Sequence, residues 1–193
     1  ADHNTALGHE ALKLNTTGTK NVAVGANALD ANTTASDNTA VGYLALSDNS
    51  TGNNNTGVGV GALENNTTAS NNTAVGSIAL LNNTTGGFNT AVGTESLEAN
   101  TTAANNVAVG WRSLHNNTTG TQNVSVGTSS LAQNTTANNN TAIGHLALTA
   151  NTTGTRNVSV GTFALDANTT ADDNSAFGYS ALTANTTGSK QTA

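Results

Sequence analysis

The chain repeats itself with a 17-residue period, without insertion or deletion from one end to the other. Units open at Asn4, Asn21, Asn38, Asn55, Asn72, Asn89, Asn106, Asn123, Asn140, Asn157 and Asn174. Each of the eleven copies approximates N-T-A-V-G-x-x-A-L-x-x-N-T-T-[GA]-x-x, and its positions are called slots 1 to 17 below. So strict a period makes residues 1–193 a single repeat array, in which each unit is one structural element stacked on the next. Ala1, Asp2 and His3 fit the last three slots of a preceding unit, and Gln191, Thr192 and Ala193 the first three of a following one. With no Met and no polar capping unit, the expectation is a processed segment of a longer fibre.

Residue type decides what kind of element repeats. Asn, Thr and Gly fill most invariant slots, and all three are poor helix formers. The apolar positions do not continue an i, i+3, i+4, i+7 stripe either. Slot 4 is always apolar, from Leu7 to Phe177, and slot 9 is Leu in every copy, from Leu12 to Leu182. These two columns are the expected core. Slots 3 and 8 admit only Ala, Ser or Gly, so an opposing strand or a neighbouring chain is expected to come close there. The alternation of a strand puts slot 2 on the same face as slot 4. The T-A-V and x-A-L segments therefore read as two short strands, with the invariant Gly of slot 5 turning the chain between them. Asn-Thr-Thr makes the wider turn. The fold class that follows is all-β, a parallel β-solenoid with a 17-residue coil and eleven coils in all. Stacked at about 4.8 Å per rung, these give a rod on the order of 50 Å long.

A second period runs inside the first. Slot 15 alternates without exception from Gly18, Ala35 and Gly52 through Ala171 and Gly188, and all five basic residues fall in odd units. A 34-residue coil with two unlike halves would produce that beat. It would also stack Asp30, Glu64 and Glu98 on successive rungs about 4.8 Å apart, where like charges repel by about 0.9 kcal/mol even in water. A 17-residue coil moves these acids two rungs apart and sets Lys13 and His115 beside acids of adjacent rungs, so charge favours the shorter coil.

The run Asn38 to Gly42 followed by Ala45 and Leu46 resembles the head repeats of trimeric autotransporter adhesins of the YadA type. It also resembles the 17-residue repeats of phage tail fibres and bacterial surface proteins, and the likeness covers the whole chain. What it implies is a left-handed parallel β-roll in a homotrimer, displayed at a cell surface or on a virion. The function implied is that of a structural or adhesive extracellular fibre segment, a shaft or a head, with a host-surface glycan or protein as an outside partner. Thin burial points to a trimer as well, since one Val and one Leu per coil is little apolar surface against the ordering of the whole unit.

Chemistry is sparse. Five Lys+Arg against eleven Asp+Glu give a net charge of −6 and exclude the clustered basic footprint of a nucleic-acid binder. No apolar run approaches a membrane span, and without Cys there is no thiolate metal site. Of the histidines, His9 and His145 share slot 6 but lie eight units apart, so they cannot meet within one rod. The Gly-Gly-x-Gly-x-Asp signature of calcium β-rolls is absent. No catalysis, cofactor or metal is expected. Slot 6 carries rings at His9, Tyr43, Trp111, His145 and Tyr179, which are candidate contacts for a glycan or protein ligand. Acceptor sequons for N-glycosylation recur at Asn15, Asn32, Asn49, Asn66, Asn83, Asn100, Asn117, Asn134, Asn151, Asn168 and Asn185, and they read first as turn and ladder residues. Stacked Thr at slots 13 and 14 supplies an alternative of another class, an ice-binding solenoid.

Overall fold

A computed structural model describes residues 1–193 and contains no helix. Eleven three-residue strands, one per unit, pair in chain order into one parallel sheet. They are β1 (Thr5–Leu7), β2 (Val22–Val24), β3 (Thr39–Val41), β4 (Thr56–Val58), β5 (Thr73–Val75), β6 (Thr90–Val92), β7 (Val107–Val109), β8 (Val124–Val126), β9 (Thr141–Ile143), β10 (Val158–Val160) and β11 (Ser175–Phe177). Thr5 pairs with Val22 and Ala23 with Ala40, so the register advances by one unit at each step. That shift makes the chain a β-solenoid with a 17-residue coil. Gly18 therefore stacks on Ala35, and a Cβ at Gly18 would collide with the Ala35 carbonyl oxygen. The same holds at Gly52, Gly86, Gly120 and Gly154, each of which seats against the carbonyl of the following Ala rung.

The second expected strand does not form. The x-A-L segment is a staircase of turns with left-handed residues at slots 7 and 9; the slot-9 leucines have φ between 49° at Leu165 and 56° at Leu12. This conformation divides the hydrogen bonds. The slot-9 amide donates to the next coil, as Leu12 N–H does to Ala28 O at 3.0 Å. Its neighbours turn back three residues within their own coil, as Lys13 N–H does to Glu10 O at 3.2 Å. A left-handed residue other than Gly costs about 1–2 kcal/mol, and it persists where the surroundings over-determine it. Nine of these leucines, Leu29 to Leu165, are completely buried, and burying such a side chain returns roughly 1.5–3 kcal/mol.

The core differs from expectation in one column. Slots 2 and 4 do share a face, but that face points outward. Leu7 and Phe177 at the ends are 68% and 61% exposed, Val75 and Ile143 are just under two-fifths exposed, and the other slot-4 residues are half-buried. The interior belongs to slots 3, 8 and 9. The physical reason is width: slot 3 meets slot 8 of its own coil directly, as where Ser159 Oγ donates to Ala164 O at 2.7 Å. Even a methyl group at Gly57 would lie 2.9 Å from Ala62 O and 3.3 Å from Leu46 Cγ. A Val has no room there, so the close approach expected at slots 3 and 8 comes from within one chain.

Two buried asparagine columns complete the cross-section. Slot-1 asparagines from Asn21 to Asn174 are at most 1% exposed. Each accepts the amide N–H of the next slot-1 residue, as Asn21 Oδ1 does from Asn38 N–H at 3.0 Å. In slot 12, Asn32 Nδ2 donates to Asn15 Oδ1 at 2.8 Å and to Ala35 O at 3.1 Å. Buried amides are tolerated because they find partners, the Nδ2 of Asn174 in the last coil being the one left without any.

The slot-5 glycines carry two constraints together. Their φ runs from 125° to 143°, and a Cβ on Gly110 would stand 2.6 Å from Gly127 O. Gly110→Ala is expected to lower unfolding stability by at least about 2 kcal/mol in a denaturant titration. Thr94, whose side chain is exposed one slot after Gly93, is expected to tolerate Ala within about 0.5 kcal/mol.

Candidate functional surface

Three surfaces run the length of the rod because each is built from columns of stacked slots. The first is the outer face of the sheet. From β2 to β10, slots 2 and 4 present Val or Thr beside Val or Ile, such as Val107 with Val109 and Val124 with Val126. These side chains are β-branched, largely apolar and only half covered, with no charged residue among them. They form the most continuous apolar strip on the molecule.

The second is the Asn-Thr-Thr edge. All eleven slot-14 threonines, from Thr17 to Thr187, are exposed, and none of their hydroxyls is hydrogen-bonded within the chain. Slot 13 behaves differently, since Thr67 Oγ1 donates to Thr84 O at 3.1 Å and the same bond recurs along the column. The sequon asparagines lie beneath this edge. Nine of them, Asn32 to Asn168, are completely buried, with Nδ2 donating to the slot-15 carbonyl of the same coil. In the folded rod they are ladder residues with no amide free for a glycan, and only Asn15 and Asn185, in the end coils, are half-buried.

The third is the staircase edge, slots 6 to 10, where the units differ most. All five slot-6 rings are exposed: Tyr43 is 54% accessible, Trp111 49% and Tyr179 77%, and His9 and His145 are open as well. They do not converge into one site. His9 and Tyr43 stand alone, while His145 and Tyr179 meet only through Phe163, edge-to-face at 5.5 and 6.1 Å. No enclosed cavity accompanies them.

Charges on this edge pair between rungs. Asp30 and Glu64 both flank Asp48 of the intervening coil; burial first, and the Asp48 charge second, pushes both carboxyls above the ordinary range. One Asp30 oxygen is buried without a hydrogen-bond partner. In coils six and seven the acids meet bases in matching slots. Arg112 Nε lies 3.2 Å from Glu95 Oε2, and His115 Nδ1 lies 3.5 Å from Glu98 Oε2. Arg112 also reaches His115 Nε2 at 3.1 Å and rests 5.6 Å from the centre of the Trp111 ring. Laying unit six over unit seven puts Glu95 under Arg112 and Glu98 under His115, a signal present in the repeat alignment that composition alone conceals. On the opposite edge Arg156 bonds Asp173 of the next rung at 2.6 Å, which holds the Asp173 carboxyl below the ordinary range.

No family model, no curated protein and no solved structure matches the chain.

Proposed function

We propose that this chain is a segment of an extracellular fibre, a shaft or adhesive head at a cell surface or on a virion, acting through shape and self-association and not through catalysis. The observation that carries this reading is the uncharged, half-covered Val/Thr strip on the outer sheet face, which repeats in every coil from β2 to β10. Rods with such a strip associate in parallel, and three of them around one axis would cover it. A contiguous exposed apolar face is a mark of an interaction surface. The slot-6 rings, displayed along a different edge, remain exposed in such a bundle and are the contacts proposed for a host glycan or protein.

Light scattering behind size-exclusion chromatography is expected to give the mass of three chains at micromolar concentration. Replacing Val92, Val109 and Val126 together by Glu is expected to give single chains that keep a β-type circular dichroism spectrum. A wild-type mass of one chain would contradict the reading, and a trimer in the triple variant would place the interface elsewhere.

The exposed slot-14 threonines favour a second reading, an ice-binding edge. Their eleven free hydroxyls and methyls form one exposed column, whereas the slot-13 hydroxyls are spent along the ladder. A growing ice crystal left unshaped by the protein would end that reading.

A further inference from the structure

We propose that Glu95, Glu98 and His115 form a binding site for a zinc-class divalent cation, which Arg112 closes when no metal is bound. The three side chains come from two adjacent coils, are half-buried, and offer ligand atoms that all lie within 4.8 Å of one another. One imidazole nitrogen and two carboxylate oxygens are ligands that zinc accepts at about 2.0–2.2 Å, with water completing the tetrahedron. Tetrahedral bonds of that length hold ligand atoms about 3.4 Å apart. Side-chain rotation on a rigid ladder suffices to close the remaining gap.

The contacts of Arg112 point the same way. A guanidinium has only donors, so the contact between the Arg112 terminal nitrogen and His115 Nε2 at 3.1 Å makes Nε2 the acceptor. The other ring nitrogen, Nδ1, lies 3.1 Å from Glu95 O and 3.5 Å from Glu98 Oε2. An imidazole nitrogen facing a cation, flanked by two carboxylates, is a cation-binding arrangement that Arg112 now serves with a single diffuse charge. A dication has the greater charge density, and the displaced guanidinium already has a seat over the Trp111 ring. No other cluster of at least three His, Cys, Asp or Glu on the rod has such spacing. Zinc bound here ties coil six to coil seven.

Trp111 is the only Trp in the chain, so its fluorescence reports on Arg112 directly. Titrating the full chain with Zn²⁺ is expected to change that emission with one equivalent per chain, and Co²⁺ is expected to give the visible absorption bands of a tetrahedral site. Arg112→Ala removes the competing cation and is expected to tighten zinc binding by about ten-fold or more, whereas His115→Ala and Glu98→Gln weaken it by about 100-fold. His145→Ala, on the same edge two coils away, is expected to change nothing. Absence of zinc binding at 100 μM, equal binding by His115→Ala, or no gain in Arg112→Ala would each overturn the proposal. Retention of the β-type dichroism spectrum checks that each variant is folded.

Discussion

Leu97→Asp is expected to destabilise the rod by at least about 4 kcal/mol. Leu97 is completely buried within a core made of one leucine and two small residues per coil. The carboxylate would find no donor there, because the amides of the staircase are already committed, including Leu97 N–H to Ser113 O at 3.1 Å. The αL backbone at Leu97, φ 50°, fixes the side chain inward, so the charge cannot swing out. In a solenoid the loss extends to the two coils that stack on the damaged one. Glu98→Lys, one residue along on the partly exposed edge, is expected to cost less than about 1 kcal/mol. Chemical denaturation of the pair separates them, and similar losses would show that the inward face is misassigned.

Asn100→Asp is expected to be nearly as damaging, and its effect depends on pH. Asn100 Nδ2 donates to Asn83 Oδ1 at 2.8 Å and to Ala103 O at 3.1 Å, while its Oδ1 accepts from Asn117 at 3.2 Å. A carboxylate turns the two donated bonds into contacts between acceptors, in a position that is 0% exposed. Burial and facing oxygens both disfavour the charged form, so the folded-state pKa of the new Asp is raised. The deficit is smallest below the unfolded value of about 3.9. It grows as pH rises through that value and is complete above the folded pKa. Thermal melts across this range are expected to show the variant losing ground to wild type as pH increases. A constant difference would mean that the slot-12 amide is not a buried donor.

The period, the parallel stacking and the 17-residue coil were legible in the sequence, because a repeat without gaps fixes the period and the slot-10 charges favour one unit per coil over two. So were the slot-5 glycines, since no other residue accepts a φ of 125° to 143° against a neighbouring backbone. Slot 4 misled for a specific reason. Val at alternate positions marks one face of a strand, but periodicity does not say which face is inside. The answer lay in slots 3 and 8, whose small residues record how narrow the interior is. The missing second strand was less legible still, because a left-handed Leu opposes its own propensity and is held by ladder bonds and burial that only the stacked coils supply. At the candidate surfaces, slot-6 exposure followed from the variability of that slot. The burial of the sequon asparagines did not, since Asn-Thr-Thr reads alike as a turn, a ladder or an acceptor. The Glu95–Glu98–His115 cluster appears only when adjacent units are laid over one another, because its members come from different copies of the repeat.

The stacking itself is open to one direct measurement, helped by the absence of Cys from the chain. Nitroxides on Cys substituted at Thr51 and, in turn, at Thr119, Thr136, Thr153 or Thr170 sit on one exposed column four to seven coils apart. Pulsed dipolar distances, with labelled chains diluted into unlabelled ones, are expected to rise in equal steps of about 4.8 Å from roughly 19 Å to roughly 34 Å. Distances that alternate between odd and even separations would place successive units on opposite sides of the rod and contradict the one-unit coil.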